Sequence, residues 1–440
     1  MKTILTALIL VCTGSILFAQ EAADSLKNKD WNLHGQTTVI TQYHFPFSAA
    51  YTGQNSLLTE ERAQTSFTAT AFIGRRLWKN AAIYFNPEVA GGSGLSKALG
   101  VAGFVNGETF RIGSPQLKLY LARLFFEQRF ALGKETTYED DDLNQLQGKT
   151  PEKYISVRIG KYSLADFFDD VEYSHDPRSQ FFNWSLMSNG AWDYPANTRG
   201  YTEGIVAEYH TPKFAARFSA SALPTVANGP DLDLDFSRSL GLVLELEKNY
   251  HVKSRKGTVR LMLAHNQTHM GNYRDAITAA TVNDPPDITS VRKYGHTKYG
   301  FGLSWEQELS SSLGAFVRLG WNDGNNETWV FTEIDQNFSG GLEWKGNSWN
   351  RKSDRLAFAF SLNGISDPHR DYLKAGGYGF IIGDGNLNYS RELILEAYYK
   401  LAFPKWHIAL SPDYQFVLNP AYNKDRGPVH VVALRLHVEI

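Results

Sequence analysis

Apolar side chains recur at every second position in segment after segment of this chain. Leu240, Leu242, Leu244 and Leu246 alternate with Gly241, Val243, Glu245 and Glu247. Tyr299, Phe301, Leu303 and Trp305 oppose Lys298, Gly300, Gly302, Ser304 and Glu306, and Leu356, Phe358, Phe360 and Leu362 oppose Ala357, Ala359, Ser361 and Asn363. The final residues repeat the pattern, with Leu434, Leu436, Val438 and Ile440 against Arg435, His437 and Glu439. Strand side chains point to opposite faces with period two, so each segment reads as a strand with one greasy and one polar face. Helices would need apolar spacings of three and four, which these windows lack. One such strand fits a soluble sandwich, but repetition from Leu33 onward is how a membrane-spanning β-barrel is written. After the first twenty residues, no stretch approaches the ~20 unbroken apolar residues of a membrane helix. Mean hydropathy is negative, yet 13% of residues are aromatic. That combination suits a barrel with a polar lumen and aromatic rims.

Met1 and Lys2 precede an apolar run from Ile4 to Phe18 that closes at Ala19-Gln20. A positive start, a short apolar core and a small residue at the exit describe a signal peptide over 1–20. A short polar lead-in follows over 21–32, and the barrel occupies 33–440. Cys12, the sole cysteine, lies in the signal, so the mature chain carries no thiol for disulfide, metal or nucleophile chemistry. The formal charge of −2 gives no nucleic-acid signature.

Short turns are expected at Trp78-Lys79-Asn80, Thr211-Pro212-Lys213, 309–312 and Pro404-Lys405, and long loops at 44–64, 89–115, 163–198, 269–294 and 366–388. This is the rhythm of periplasmic turns and extracellular loops. One connection, 133–152 with Asp140-Asp141-Asp142, is long where a short turn is due, and reads as a solvated turn. Counting through gives an all-β, antiparallel transmembrane barrel of about 16 strands, with both termini on the periplasmic side.

A barrel this wide leaves an aqueous lumen, so function depends on what narrows it. Arg123, Glu127 and Arg129 share one face of a strand whose other face carries Tyr120, Ala122, Leu124, Phe126 and Phe130. Lipid-exposed Arg costs ~2–4 kcal/mol at the bilayer midplane, so the charged face belongs in the lumen. There it either stiffens the wall as a salt-bridge ladder or forms part of a selectivity zone; the ladder is the simpler reading for Glu127 and Arg129. The loop 163–198 interleaves Asp166, Asp169, Asp170, Asp176, Arg178 and Asp193 with Phe167, Phe168, Tyr173, Phe181, Phe182, Trp184, Trp192 and Tyr194, and Arg199 stands at its exit. A loop so aromatic is expected to pack inside the barrel and constrict it, as is the glycine-rich loop 89–115. Aromatic faces beside charged groups suit sugars, whose C–H faces lie on rings while hydroxyls exchange hydrogen bonds. Phe181 and Phe182 read as the loop's own core, and Trp184 and Trp192 as ligand contacts. No catalytic constellation emerges. Asp169-Asp170 is an adjacent carboxylate pair with no assignable partner, and His296, His407, His430 and His437 lack metal-ligand spacing. No metal or cofactor is expected.

The runs NPEVAGGSGLSKALGVAGFVNGE from Asn86, LYLARLFFEQ from Leu119 and GKYSLADFFDDVEYSHDPRSQFFNWSLMSNGAWDYPANTRGY from Gly160 resemble the carbohydrate-selective outer-membrane porins, the OprB family. The final strands, with PDYQFVLNP from Pro412, are similar too. The resemblance implies a 16-stranded barrel passing sugars by facilitated diffusion through a constriction of infolded loops lined by arginines and acidic groups. Matching positions are Glu88, Arg123, Asp176, Arg178, Asp193 and Arg199. It also implies a Gram-negative outer membrane, contact with its lipid, small sugars as partners, and a homo-trimer or a monomer. Two features depart from the family: the chain ends in Ile440 rather than an aromatic residue, and 269–349 matches poorly. Alternatives are a general porin with only a size limit and a secreted all-β carbohydrate-binding protein or glycosidase.

Overall fold

The computed structural model describes residues 28–109, 116–281 and 284–440. The expected signal peptide and most of the lead-in lie outside the described residues. Sixteen antiparallel strands close into one barrel. In chain order they are β1 (Trp31–His44), β2 (Gln64–Trp78), β3 (Ala81–Gly92), β4 (Lys118–Ala131), β5 (Tyr154–Tyr162), β6 (Thr202–Thr211), β7 (Phe214–Ser221) and β8 (Leu240–Val252). There follow β9 (Arg255–Thr268), β10 (His296–Ser310), β11 (Leu313–Asn322), β12 (Gln336–Lys345), β13 (Arg355–Gly364), β14 (Glu392–Phe403), β15 (Ile408–Leu418) and β16 (Val429–Glu439). Each strand pairs with its sequence neighbours, and β1 closes on β16 with Gln36 opposite Glu439 and His44 opposite Val431. Closure removes the unpaired edge that an open sheet would leave in lipid.

The connections sort by end. Lys79-Asn80, Pro212-Lys213, Lys253-Ser254 and Ser311-Ser312 are two-residue turns at one end. The opposite end carries the long excursions, including 45–63, 163–201, 269–295 and 365–391. The connection 132–153 belongs to the short-turn end but builds its own two-stranded hairpin, Thr136–Glu139 against Gly148–Pro151. It does not project into solvent as a plain turn: Leu146 is buried in the main core cluster.

The two faces separate as the alternation requires. Leu244, Leu246, Phe301, Leu303, Leu356, Phe358 and Leu434 are exposed on the outer surface, whereas Glu245, Glu306, Ala357, Ser361 and Arg435 are buried inside. Exposed Trp78, Phe130, Tyr209, Phe214 and Trp406 lie beside the short turns, the place of an aromatic girdle. Strand β4 departs from strict alternation partway along its length. In β4 the register slips between Asn86↔Arg123 and Pro87↔Leu121, leaving Ala122 as an extra residue. Such a bulge reverses which face the flanking residues occupy. Tyr120, expected to face lipid, therefore points inward, and Ala122 is buried.

The inner wall is built differently on its two sides. Along β4–β10 it carries an alternating charge ladder. Arg158 lies 2.7 Å from Glu127 and 3.1 Å from Glu208, and Arg217 lies 3.1 Å from Glu208 and 2.9 Å from both Glu245 and Glu247. Arg260 then joins Glu247 and Glu306, each at 3.0 Å. Opposite charges on neighbouring strands stabilise the pairing, and removing one member of so buried a set costs about 3–5 kcal/mol. Toward β11, β13 and β14 the wall instead presents apolar side chains among its polar ones, and the loop 163–201 folds into the barrel against them. Val171, Phe181, Phe182 and Leu186 pack against Phe316, Ala357, Ala359 and Tyr398. Inward wall groups also take up the loop's backbone. Glu396 accepts from the N–H groups of Phe182 and Asn183, and Arg318 donates to the carbonyls of Leu186 (2.8 Å) and Ser174 (2.5 Å). Arg435 donates to those of Pro177 (2.8 Å) and Gln180 (2.7 Å). A backbone excursion into the lumen is possible only where its polar groups find such partners.

Candidate functional site

With one side filled, open volume remains on the other. A cavity of about 630 Å³ runs along the inner face of β1–β5 and is bordered on its other side by loop residues. Its centre is a set of paired charges. Glu88 on β3, only 2% exposed, accepts from Arg178 Nη2 (3.0 Å), from the Tyr201 hydroxyl (3.0 Å), and from the hydroxyls of Thr70 and Tyr120. Arg178 also donates to Gln36 (2.9 Å) and Thr70 (3.1 Å) and stands 3.0 Å from Glu108. A tight turn aims it there: the Asp176 carboxylate accepts the Arg178 N–H and the Ser179 hydroxyl, and Pro177 restricts the backbone between them. Burial would raise the Asp176 carboxyl, but the Arg178 guanidinium and its hydrogen bonds hold it below its ordinary value.

Arg123 on β4 grips Asp166 through two parallel bonds of 2.6 Å from Nε and Nη2. Such fork-to-fork geometry is among the strongest side-chain contacts. Asp166 is itself fixed by a short helical turn, Leu164–Asp166, closed by a reciprocal capping box with Ser163. The Arg123 guanidinium lies 5.3 Å from the Tyr201 ring centre, and that of Arg199 lies 3.9 Å from the Tyr120 ring centre. Nη1 of Arg123 makes no hydrogen bond among the described residues.

The same cavity is bordered by an aromatic stack. Trp184 opens a one-turn helix, Trp184–Met187, capped by the Asn183 side chain. Its ring stacks on Phe331 at 4.2 Å, and Phe331 stacks on Tyr194 at 4.4 Å. Phe331 comes from the loop 323–335 and has φ of 54°, a left-handed conformation that bulky residues seldom adopt. It is held from below. Asp193 accepts the N–H groups of Trp329 (2.9 Å) and Val330 (2.7 Å), which fixes the two residues before Phe331. Burial pushes the Asp193 carboxyl up to about 6, against the opposing pull of Lys298 and those two N–H groups.

A loop-narrowed aqueous lumen inside a lipid-facing barrel is the anatomy of a pore. Residues 54–440 match the family described as carbohydrate-selective porin, OprB family. The chain belongs to this family. The porin is 22% identical over 361 residues to porin AaxA of Chlamydia abortus, a match covering 82% of this chain. It spans 62% of that relative's length. A structure of Pseudomonas putida OprB at high pH superposes with a TM-score of 0.68, at 15% identity, over 93% of this chain and 94% of that one. Its low-pH form gives a TM-score of 0.50 at 11% identity, over 93% of each chain. The porin thus belongs to the outer membrane of a Gram-negative bacterium.

Eight of the ten residues singled out from the porin's sequence border the one cavity: Glu88, Arg123, Glu127, Arg129, Asp176, Arg178, Trp184 and Arg199. Glu127 and Arg129 do so as the end of the wall ladder, 3.3 Å apart. Trp192 and Asp193 stand away from it. Trp192 is 3% exposed and packs against Tyr194 and Phe168, and Asp193 holds the backbone of Trp329 and Val330 as described. Sequence reasoning did not single out Glu108, Tyr201 or Phe331. Glu108 closes the glycine-rich run, directly after Gly107, and Phe331 ends the apolar triplet Trp329-Val330-Phe331, which is too short to show a period.

Proposed function

We propose that the porin passes neutral sugars by facilitated diffusion along this cavity. The observation that carries the reading is the pairing of two surfaces on one passage: a stacked face of Trp184, Phe331 and Tyr194, and a hydrogen-bonding set of Arg123, Arg178 and Glu108. A pyranose offers the complementary pair. Its C–H faces lie on aromatic rings, and its hydroxyls both donate and accept. Arg123 and Arg178 would donate to hydroxyl oxygens and Glu108 would accept from hydroxyl hydrogens, while Glu88, its oxygens taken by Arg178, Thr70, Tyr120 and Tyr201, would hold Arg178 in place. Together they replace part of the sugar's hydration. Their mutual pairing keeps each contact weak, as conduction requires, since a solute held tightly does not leave. A concentration gradient drives net flow.

The test is conductance of the detergent-purified porin in a planar bilayer while glucose is titrated. Saturable block of the ion current is expected, because a sugar resident in the constriction excludes ions. Open channels whose current falls only as bulk conductivity falls would refute sugar selectivity and leave a general, size-limited porin.

A further inference from the structure

The connection 132–153 breaks the alternation of short turns and long loops, and nothing in the barrel's closure needs it. Its hairpin does not hang from the short-turn end but runs up the inside of the wall. Asn32 of β1 donates from one amide nitrogen to Asp141 Oδ1 (2.7 Å) and to the carbonyls of Asp142 (2.8 Å) and Gln145 (3.1 Å). Arg76 of β2 donates to the Gln147 carbonyl (3.0 Å), and Arg129 of β4 donates to both oxygens of Glu139, each at 2.9 Å. The tip goes furthest: the Asn144 side-chain oxygen accepts from Asn86 Nδ2 at 2.9 Å. Asn86 lies five residues into β3, roughly 16 Å along the strand, and is the register partner of Arg123. Asp142, Asn144 and Gln145 border the same cavity as Arg123 and Arg178.

We propose that this hairpin is a second constriction of the pore, in series with the loops and immediately below Arg123, so that solute leaving the arginine cluster next meets Asp142, Asn144 and Gln145. The solute passes from a surface of guanidinium groups and aromatic rings to one of amides and a carboxylate. The hairpin therefore sets part of the pore's width and of its solute preference from the side opposite to the loops. Four neighbouring strands hold it by side chains already facing inward, which makes it a fixed part of the passage rather than a freely swinging turn. The inference rests on the lumen being the conducting path and not on which solute passes.

Asn144→Cys tests it, in a protein whose only native cysteine, Cys12, is replaced by serine or removed with the signal. Reaction with a bulky methanethiosulfonate reagent, with completeness read by mass spectrometry, should cut single-channel conductance about twofold or more, since pore width governs current. Lys134→Cys, exposed at the base of the hairpin, should react with no change in current. Full modification at position 144 with unaltered conductance would overturn the proposal. Replacing 139–148 by a two-residue turn gives an independent reading that needs no sugar. Conductance should rise in channels that keep the heat-modifiable mobility of a folded barrel, and an unchanged conductance in such channels would equally refute it.

Discussion

Arg123→Ala set beside Asp166→Asn separates two roles that one residue can play. Arg123 could bind solute, or it could act only by clamping the loop 163–201 through Asp166. Both of its bonds to that carboxylate are 2.6 Å long, so the clamp is real, and loss of sugar block in the alanine variant alone would not discriminate. The comparison with Asp166→Asn does. The asparagine keeps an oxygen to accept the Ser163 N–H, now 3.2 Å from Asp166, but surrenders the ion pair. If Arg123 also donates to a sugar hydroxyl, its removal costs a charged hydrogen bond, about 1.5–3 kcal/mol. At 1.4 kcal/mol per decade that raises the half-blocking glucose concentration roughly ten- to a hundredfold. Asp166→Asn should cost far less, because the freed guanidinium remains able to donate. Glucose titrations of single-channel current on both variants and on the double variant measure the cycle. Each preparation is checked for the heat-modifiable mobility of a folded barrel. Equal losses in the two single variants, with no further loss in the double, would refute direct contact and leave Arg123 as a loop clamp.

Three further outcomes are expected. Phe331→Ala removes two ring contacts, each worth about 0.5–1.5 kcal/mol beyond its buried area, and should weaken glucose block several-fold while the barrel stays folded; unchanged block would take the aromatic stack off the sugar path. Leu303→Arg places a guanidinium on the lipid face of β10 and should destabilise refolding into bilayers by ~2–4 kcal/mol, whereas Leu303→Phe should be close to neutral; equal refolding midpoints would overturn the outward assignment. Asp193 has its native carboxyl raised to about 6 from an ordinary 3.8, so the folded state holds an additional proton between those values. Its contribution to stability is complete below about pH 4 and is lost as pH rises through about 6. Asp193→Asn should flatten unfolding midpoints across that window, and an unaltered pH profile would exclude Asp193 as the source.

The barrel was legible because period-two alternation survives wherever one face meets lipid and the other meets water. It blurs where that condition fails, and the blurring carries information. Ile394 and Tyr398 interrupt the polar face of β14, and both are fully or almost fully buried. Infolded loops cover that part of the wall, Tyr398 packing with Phe181 and Phe182 and Ile394 with Leu57, Leu95 and Val101, so the inner surface there is packed core. Alternation alone puts Tyr120 on the lipid face, whereas it points inward, because a bulge is a change of register visible only in the pairing of two strands. Charge alone puts Arg123, Glu127 and Arg129 in the lumen, since lipid forbids the alternative. Within loops no period operates, and neighbours in sequence diverge. Trp184 borders the cavity while Trp192 is packed away, and Tyr194 reaches it from beside a buried Asp193. The contribution of Phe331 depends on a distant loop meeting 184–194 in space, which no local pattern encodes.

The wall ladder and the solute path meet in shared residues, and this bears on how such a pore can favour neutral solutes. Arg129 closes the ladder against Glu127 at 3.3 Å and grips Glu139 of the hairpin at 2.9 Å. Arg158 borders the cavity while bridging Glu127 and Glu208. Few of the cavity's guanidinium groups face the passage as isolated charges; Arg123, Arg129, Arg158 and Arg178 are each within 3.3 Å of a carboxylate. Paired opposite charges leave little net potential for an ion to follow, but their short-range fields remain strong in a narrow, partly dehydrated space. A polyol can exploit those fields by donating to a carboxylate and accepting from its guanidinium partner at once. A simple ion must choose one member of the pair and is repelled by the other. On the proposed function, selectivity for neutral hydroxylated solutes would follow from keeping the charges matched, and the ladder that stiffens the wall would also keep them so.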